Sequence, residues 1–345
     1  MNELRFNFTQ NSSSVGFEST SLGGATPFDL SSIPGPNGSQ FPSVAQGGGF
    51  FVCLCYGEFP NFALYHKPSA QRQYNITDTY NWTVARHQLK FGMDWRRLAT
   101  KVGMFPIGEN VIFFSEASVL ANSMDFAQAI AQTPPSVEPV YTNFSSFVQD
   151  QWKATSRLSL SLGLRWDLNP APSGEPLPYT VTQISNLLTT QVAPAGTALW
   201  RTKWNNLAPR LGMAYTLRQN PSGATVIRAG FGMFYDLGNA YGSRGYEGLG
   251  FSSNLSYSGV NFPLTSAQLQ VPPPSVAPPY AATVYGFDPG LKSPYTLEWN
   301  ATVEQVLGAK QALTLNYVGS NGRRLLTQFI YQPGALGKAR VDSLK

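Results

Sequence analysis

Arg157-Leu158-Ser159-Leu160-Ser161-Leu162-Gly163-Leu164-Arg165-Trp166-Asp167 decides the fold class. Leu158, Leu160, Leu162, Leu164 and Trp166 alternate with Ser159, Ser161, Gly163, Arg165 and Asp167. An extended chain points successive side chains to opposite faces, so this stretch has one apolar and one polar face. The same rhythm runs through Leu89, Phe91, Met93 and Trp95 in 87–96, and through Leu211, Met213, Tyr215 and Leu217 in 207–217. It returns in Ile227, Ala229, Phe231, Met233 and Tyr235, and in Leu297, Trp299, Ala301 and Val303. Leu4, Phe6 and Phe8 show it at the start of the chain.

Alternation alone also fits a soluble β-sandwich, which buries one face of each strand. Three features favour strands that cross a membrane. The runs approach the roughly 9–11 residues a tilted strand needs to cross a bilayer, against about 5–6 for a typical soluble strand. Their polar faces carry Arg, Asp, Glu and Gly, as a wet lumen would. Trp95, Trp152, Trp166, Tyr235 and Tyr295 stand at run ends, where a ring can keep its polar tip hydrated. Connection lengths add a fourth. Short turns near 84–86, 153–156, 219–223 and 307–310 alternate with long connections at about 11–71, 99–141, 169–206 and 237–294. An up-and-down meander then puts all short turns on one side and all long loops on the other, as in outer-membrane barrels. The expected fold is all-β, an antiparallel meander of about nine or ten transmembrane strands belonging to a larger barrel.

Composition agrees with that reading. Charged residues are 12% of the 345, aromatics 13%, and Gly (32) and Pro (26) are plentiful; a soluble domain carries about 25% charged residues. The net charge of +5 is dispersed, with no basic run to follow a phosphate backbone, so no nucleic-acid partner is expected. The longest apolar run, Phe50 to Tyr56, is far short of the roughly 18–20 residues of a spanning helix. Met1-Asn2-Glu3-Leu4-Arg5 opens no apolar signal segment. Residues 116–132, rich in Ala, Met and Gln, suggest a short helix within a loop. Cys53 and Cys55 form a lone C-x-C, read as poorly placed for a disulfide and without a chemical role. With only His66 and His87 as further soft ligands, no metal site is expected. Gly230-Phe231-Gly232 lies inside a strand and is no dinucleotide loop, so no cofactor is expected either. Without a nucleophile motif or carboxylate pair, the chain does not read as an enzyme.

The strands also carry a resemblance. Phe144-Ser145-Ser146-Phe147-Val148-Gln149-Asp150-Gln151-Trp152-Lys153, followed by 158–167, resembles the F-x-Q-D-x-W-K hairpin of TonB-dependent receptor barrels. Asn206-Leu207-Ala208-Pro209-Arg210-Leu211-Gly212 with 226–236, Ser293-Pro294-Tyr295 with Trp299, and Tyr317-Val318-Gly319-Ser320-Asn321-Gly322 are similar to later strands of that family. The match covers roughly 2–10 and 72–331 and is nearest to the Oar-like group of large receptors. That resemblance implies a barrel of about 22 strands with an N-terminal plug and a TonB box. Plug, TonB box and signal peptide are not seen here, and Val341-Asp342-Ser343-Leu344-Lys345 is not a terminal aromatic strand. The sequence therefore reads as part of a longer receptor.

The resemblance places the chain in a bacterial outer membrane, with lipid outside the wall, long loops extracellular and an unknown solute as cargo. The TonB complex would be reached only through a plug. Asp94, Arg96, Arg165, Asp167, Arg210 and Arg228 fall on polar faces and are the candidate lumen-lining residues, placed to meet a plug or solute or simply to pair with one another. The alternative is a non-transport surface protein, an adhesin or assembly component, that uses the barrel to display loops.

Overall fold

The computed structural model describes residues 1–57, 61–185, 190–236, 239–277 and 283–328. Fourteen strands form one sheet: β1 (Asn2–Phe17), β2 (Gly48–Leu54), β3 (Asn61–Val84), β4 (His87–Gly103), β5 (Ile107–Phe113), β6 (Phe126–Gln132), β7 (Ser136–Lys153), β8 (Leu158–Leu168), β9 (Ser173–Glu175), β10 (Leu207–Arg218), β11 (Thr225–Tyr235), β12 (Ser252–Tyr257), β13 (Tyr295–Leu307) and β14 (Gln311–Arg323). Nine of them make the meander β1-β3-β4-β7-β8-β10-β11-β13-β14, every neighbour antiparallel. That matches the strand count expected from the sequence. The sheet is not closed: β1 and β14 each have one partner among the described residues.

The four short turns all lie at one end of the meander. The tightest joins Val84 to His87 through Ala85-Arg86, with Ala85 at φ 50° as a tight hairpin requires. At the opposite end the strands run further than their alternation suggested. β3 has 24 residues, β7 18, β4 17 and β1 16, against about 9–11 needed to cross a bilayer. The expected loops at 11–71 and 99–141 are therefore shorter, because 11–17, 61–71, 99–103 and 136–141 are strand. The apolar side chains of these stretches pack against protein instead of lipid, Leu64 in a core with Phe50 and Val137 in one with Tyr246 and Phe251. The C-terminal stretch 329–345 lies outside the described residues.

Built on these tall strands is an outer layer, β12-β6-β5-β2, attached to β3. Within it β2 and β5 are parallel, the one departure from an antiparallel sheet, made possible because β3 and β4 intervene as a long crossover. The 116–132 stretch divides: Glu116–Leu120 is helical, capped by the Ser115 side chain, whereas 126–132 is β6. This layer has its own core of Phe41, Phe50, Leu64, Val111, Met124, Ala127, Ala129 and Leu264, all nearly inaccessible. Cys53 and Cys55 are joined in a disulfide, correcting the expectation of two idle thiols. Cys55 lies beyond the end of β2, so the chain is no longer extended there. Its Cα is 5.1 Å from that of Cys53, inside the bridging range and below the roughly 6.6 Å of an extended i, i+2 pair.

Across the meander, register keeps one face apolar. The row Trp82–Leu89–Asp150–Leu162–Leu211–Phe231–Trp299 is typical. Leu162, Leu164, Leu211 and Met213 are 40–51% exposed, the pattern of a surface that meets lipid rather than protein. Aromatics edge this band. Phe144 packs edge-on to Trp166 at 6.0 Å and Tyr235 to Tyr295 at 5.8 Å, while Trp152 stacks on His87 at 5.4 Å near the short turns. Phe144 and Trp152 are eight residues apart on β7, roughly 20 Å of height at a tilt of about 40°. Two carboxylates interrupt the apolar face. Asp150 pairs with His87 Nδ1 at 2.7 Å; Asp78, registered between Leu4 and Met93, has an oxygen without a protein partner.

Candidate functional site

All six candidate residues stand on the opposite, polar face. Asp94 and Arg96 share a face of β4, Arg165 and Asp167 one of β8, and the ladder registers Asp94 with Ser145 and Ser145 with Asp167. Ser145 is small, so the Arg165 guanidinium can reach across it. Its Nε donates to Asp167 Oδ1 at 2.8 Å, one NH2 donates to Ser145 Oγ at 2.5 Å, and Asp94 Oδ2 lies 3.9 Å away. Asp94 also accepts from Asn75 Nδ2 at 2.5 Å. Arg210 stands in the register between Gly163 and Gly232. A Cβ at Gly232 would lie 2.6 Å from the Phe234 ring, so glycine there lets Phe234 lie back along the strand. The Arg210 guanidinium covers that ring at 4.6 Å from its centroid.

Together these side chains wall a cavity of about 190 Å³, lined by Asp94, Arg96, Arg165, Asp167 and Arg210 with Asn143, Ser145, Asn169 and Phe234. Arg228 stands apart and pairs with Glu304 across β11 and β13. Sequence reading missed Asn143, Ser145 and Phe234, although strand parity was there to find them. Asn143 and Ser145 precede the alternation that marks β7, and Phe234 adjoins a run read for its apolar face. Asn169 follows the end of β8 and carried no signal; it accepts a hydrogen bond from Asn143 at 3.0 Å. No group of three or more His, Cys, Asp or Glu fit to hold a metal occurs among the described residues.

One titratable group outside the membrane band stands out. Glu109 on β5 is 1% exposed within the outer-layer core. Burial raises its carboxyl from 4.5 to about 7, partly offset by the Leu264 N–H, which donates to Oε1 at 3.4 Å; Oε2 has no protein partner.

A model of the outer membrane beta barrel domain matches residues 1–343. The chain belongs to that family. As a member it resides in the outer membrane. Among solved structures, it resembles the outer membrane transporter YddB from Escherichia coli at 15% identity and a TM-score of 0.43. That alignment covers 79% of this chain and 29% of the transporter, so the chain spans under a third of that protein's length. No curated protein matches.

Proposed function

We propose that this chain forms part of the wall of a TonB-dependent receptor barrel of the Oar-like group, which takes up large or scarce solutes. The observation that carries this reading is the interior face: a cavity walled by three arginines, two aspartates and two buried asparagines, set into the wall of a membrane barrel. A barrel that only displayed loops has little use for such a cavity. Energy would come from the TonB complex through a plug, and the wall itself catalyses nothing. The test compares accumulation of labelled solutes in cells with and without the gene, each with TonB present and depleted. Uptake that needs both supports the proposal; uptake indifferent to TonB overturns it.

A second reading, surface display, draws on the outer layer. Its separate core of Phe41, Phe50, Val111 and Leu264 makes it a folded structure in its own right rather than loose loops. Replacing 104–135 with a short turn would abolish adhesion under this reading and leave solute uptake in place.

A further inference from the structure

We propose that the interior cavity is an anion site, formed by Arg96 and Arg210 and completed by the amide of Asn169, for one carboxylate or phosphate group. This deepens the transport reading and rests on it. Three guanidinium groups and two carboxylates line the cavity. Both carboxylates are committed: Asp167 to Arg165, and Asp94 to Asn75 and Arg165. Arg165 is satisfied in turn by Asp167 and Ser145.

Arg96 and Arg210 remain. Neither takes part in an ion pair among the described residues, and Arg96 Nε is buried with no protein acceptor. Phe234 lies against the Arg210 guanidinium, which makes no side-chain hydrogen bond or ion pair among the described residues and feels Asp167 only at longer range. Asn169, only 8% exposed, accepts from Asn143, and among the described residues its Nδ2 has no acceptor and Asn143 Oδ1 no donor. Exchanging the two ends of both amides moves the free donor to Asn143 in the same cavity, so a donor is presented either way. Unmatched donors and a net positive wall select an anion, and a guanidinium edge fits the two oxygens of a carboxylate or phosphate. The two aspartates hold Arg165 in place and disfavour highly charged anions.

The group has two sources: a free solute, or an acidic side chain of polypeptide seated inside the barrel. The protein isolated from outer membranes in detergent is titrated with inorganic phosphate and with citrate by calorimetry. Three forms are compared: wild type, the double variant Arg96→Gln/Arg210→Gln, and Arg157→Gln, which removes a turn arginine of the same charge. Heat-modifiable gel migration confirms folding, and the single variants replace the double one where it fails. Saturable binding that weakens at least tenfold in the double variant, and not in Arg157→Gln, identifies a free-anion site. No binding, with a melting temperature lower in the single variant Arg96→Gln, which keeps the Arg210–Phe234 contact, than in Arg157→Gln, identifies a resident carboxylate, because Arg96 has no ion pair among the described residues to lose. Binding unchanged by the substitutions, or neither effect, overturns the site. If neither effect is seen while TonB-dependent uptake persists, only the site fails; if uptake never depended on TonB, the transport reading fails first.

Discussion

Glu109→Gln offers a quantitative test of how the outer layer is held together. Glu109 sits between Phe50 of β2 and Ala129 of β6 in the register and receives the Leu264 N–H. These partner strands, and the segment 261–271, contain no Asp, Glu, Lys, Arg or His. Burial, offset in part by the Leu264 N–H, therefore sets the cost of its charge. A carboxyl moved from 4.5 to about 7 makes the charged folded layer less stable by about 3 kcal/mol, at about 1.4 kcal/mol per tenfold change in ionisation. The folded form holds its proton to higher pH than the unfolded form. The extra stability is thus complete below about 4.5, falls between 4.5 and 7, and is gone above about 8. Hydrogen–deuterium exchange of peptides covering 107–113 and 261–271, corrected for intrinsic rates, reads this directly. Wild-type protection is expected to fall on the order of 100-fold from pH 5 to pH 8. The glutamine keeps the acceptor for Leu264 and carries no charge, so its protection is expected to be equal at both values. A pH-independent wild type, or a slope that survives in Glu109→Gln, refutes the reasoning.

Leu162→Arg puts a charge on the lipid face and is expected to destabilise the barrel by about 2–4 kcal/mol, while Ser161→Arg, facing inward, costs little; urea unfolding in lipid vesicles compares them. Asp78→Leu removes a lipid-facing carboxylate between Leu4 and Met93 and is expected to stabilise by about 1–2 kcal/mol in the same assay. Asp167→Asn leaves Arg165 with Ser145 and the distant Asp94 at 3.9 Å and is expected to lose about 1.5–3 kcal/mol; a variant as stable as wild type would show the pair to be dispensable. Alkylation followed by mass spectrometry is expected to find neither Cys53 nor Cys55 reactive until a reductant is added.

The membrane wall was legible because lipid imposes a rule on every second residue. β8, β10, β11 and β13 begin and end within a residue or two of their alternation, and the short turns follow from its interruptions. Above the membrane that rule lapses. The outer parts of β3 and β7 were read as loop because their side chains need no constant polarity. β6, Phe-Ala-Gln-Ala-Ile-Ala-Gln, has a helical composition yet is a strand, because β5 and β12 pair with it on both sides; tertiary pairing overrides such weak local preference. Glu109 was invisible for a related reason, since nothing in Ile-Gly-Glu-Asn-Val-Ile-Phe tells which side meets a core built from residues 30–64 and 264–269. At the candidate site, parity showed which charges share the polar face, but not that Arg165 pairs with Asp167 and reaches toward Asp94. That follows from the stagger of β4, β7 and β8, which is a property of the register and not of any one strand.

The register also bears on how such a wall can close. Eight antiparallel steps separate β1 from β14, so both edge strands run away from the short turns. Pairing β14 with β1, within one sheet or between neighbouring copies, would therefore make a parallel seam. Turning one copy over would make the seam antiparallel but would put its outer layer, with Glu109 and the disulfide, on the wrong side of the membrane. An all-antiparallel barrel needs an odd number of further strands between the two edges, whatever supplies them. Those strands must present a polar face to the cavity beside Arg210 and an apolar face level with Leu4, Phe6, Leu315 and Tyr317, which are 61–71% exposed at the two edges. Unpaired backbone in lipid costs several kcal/mol per group, so the edges of this sheet are the strongest reason to expect that the interior site works only in a completed barrel.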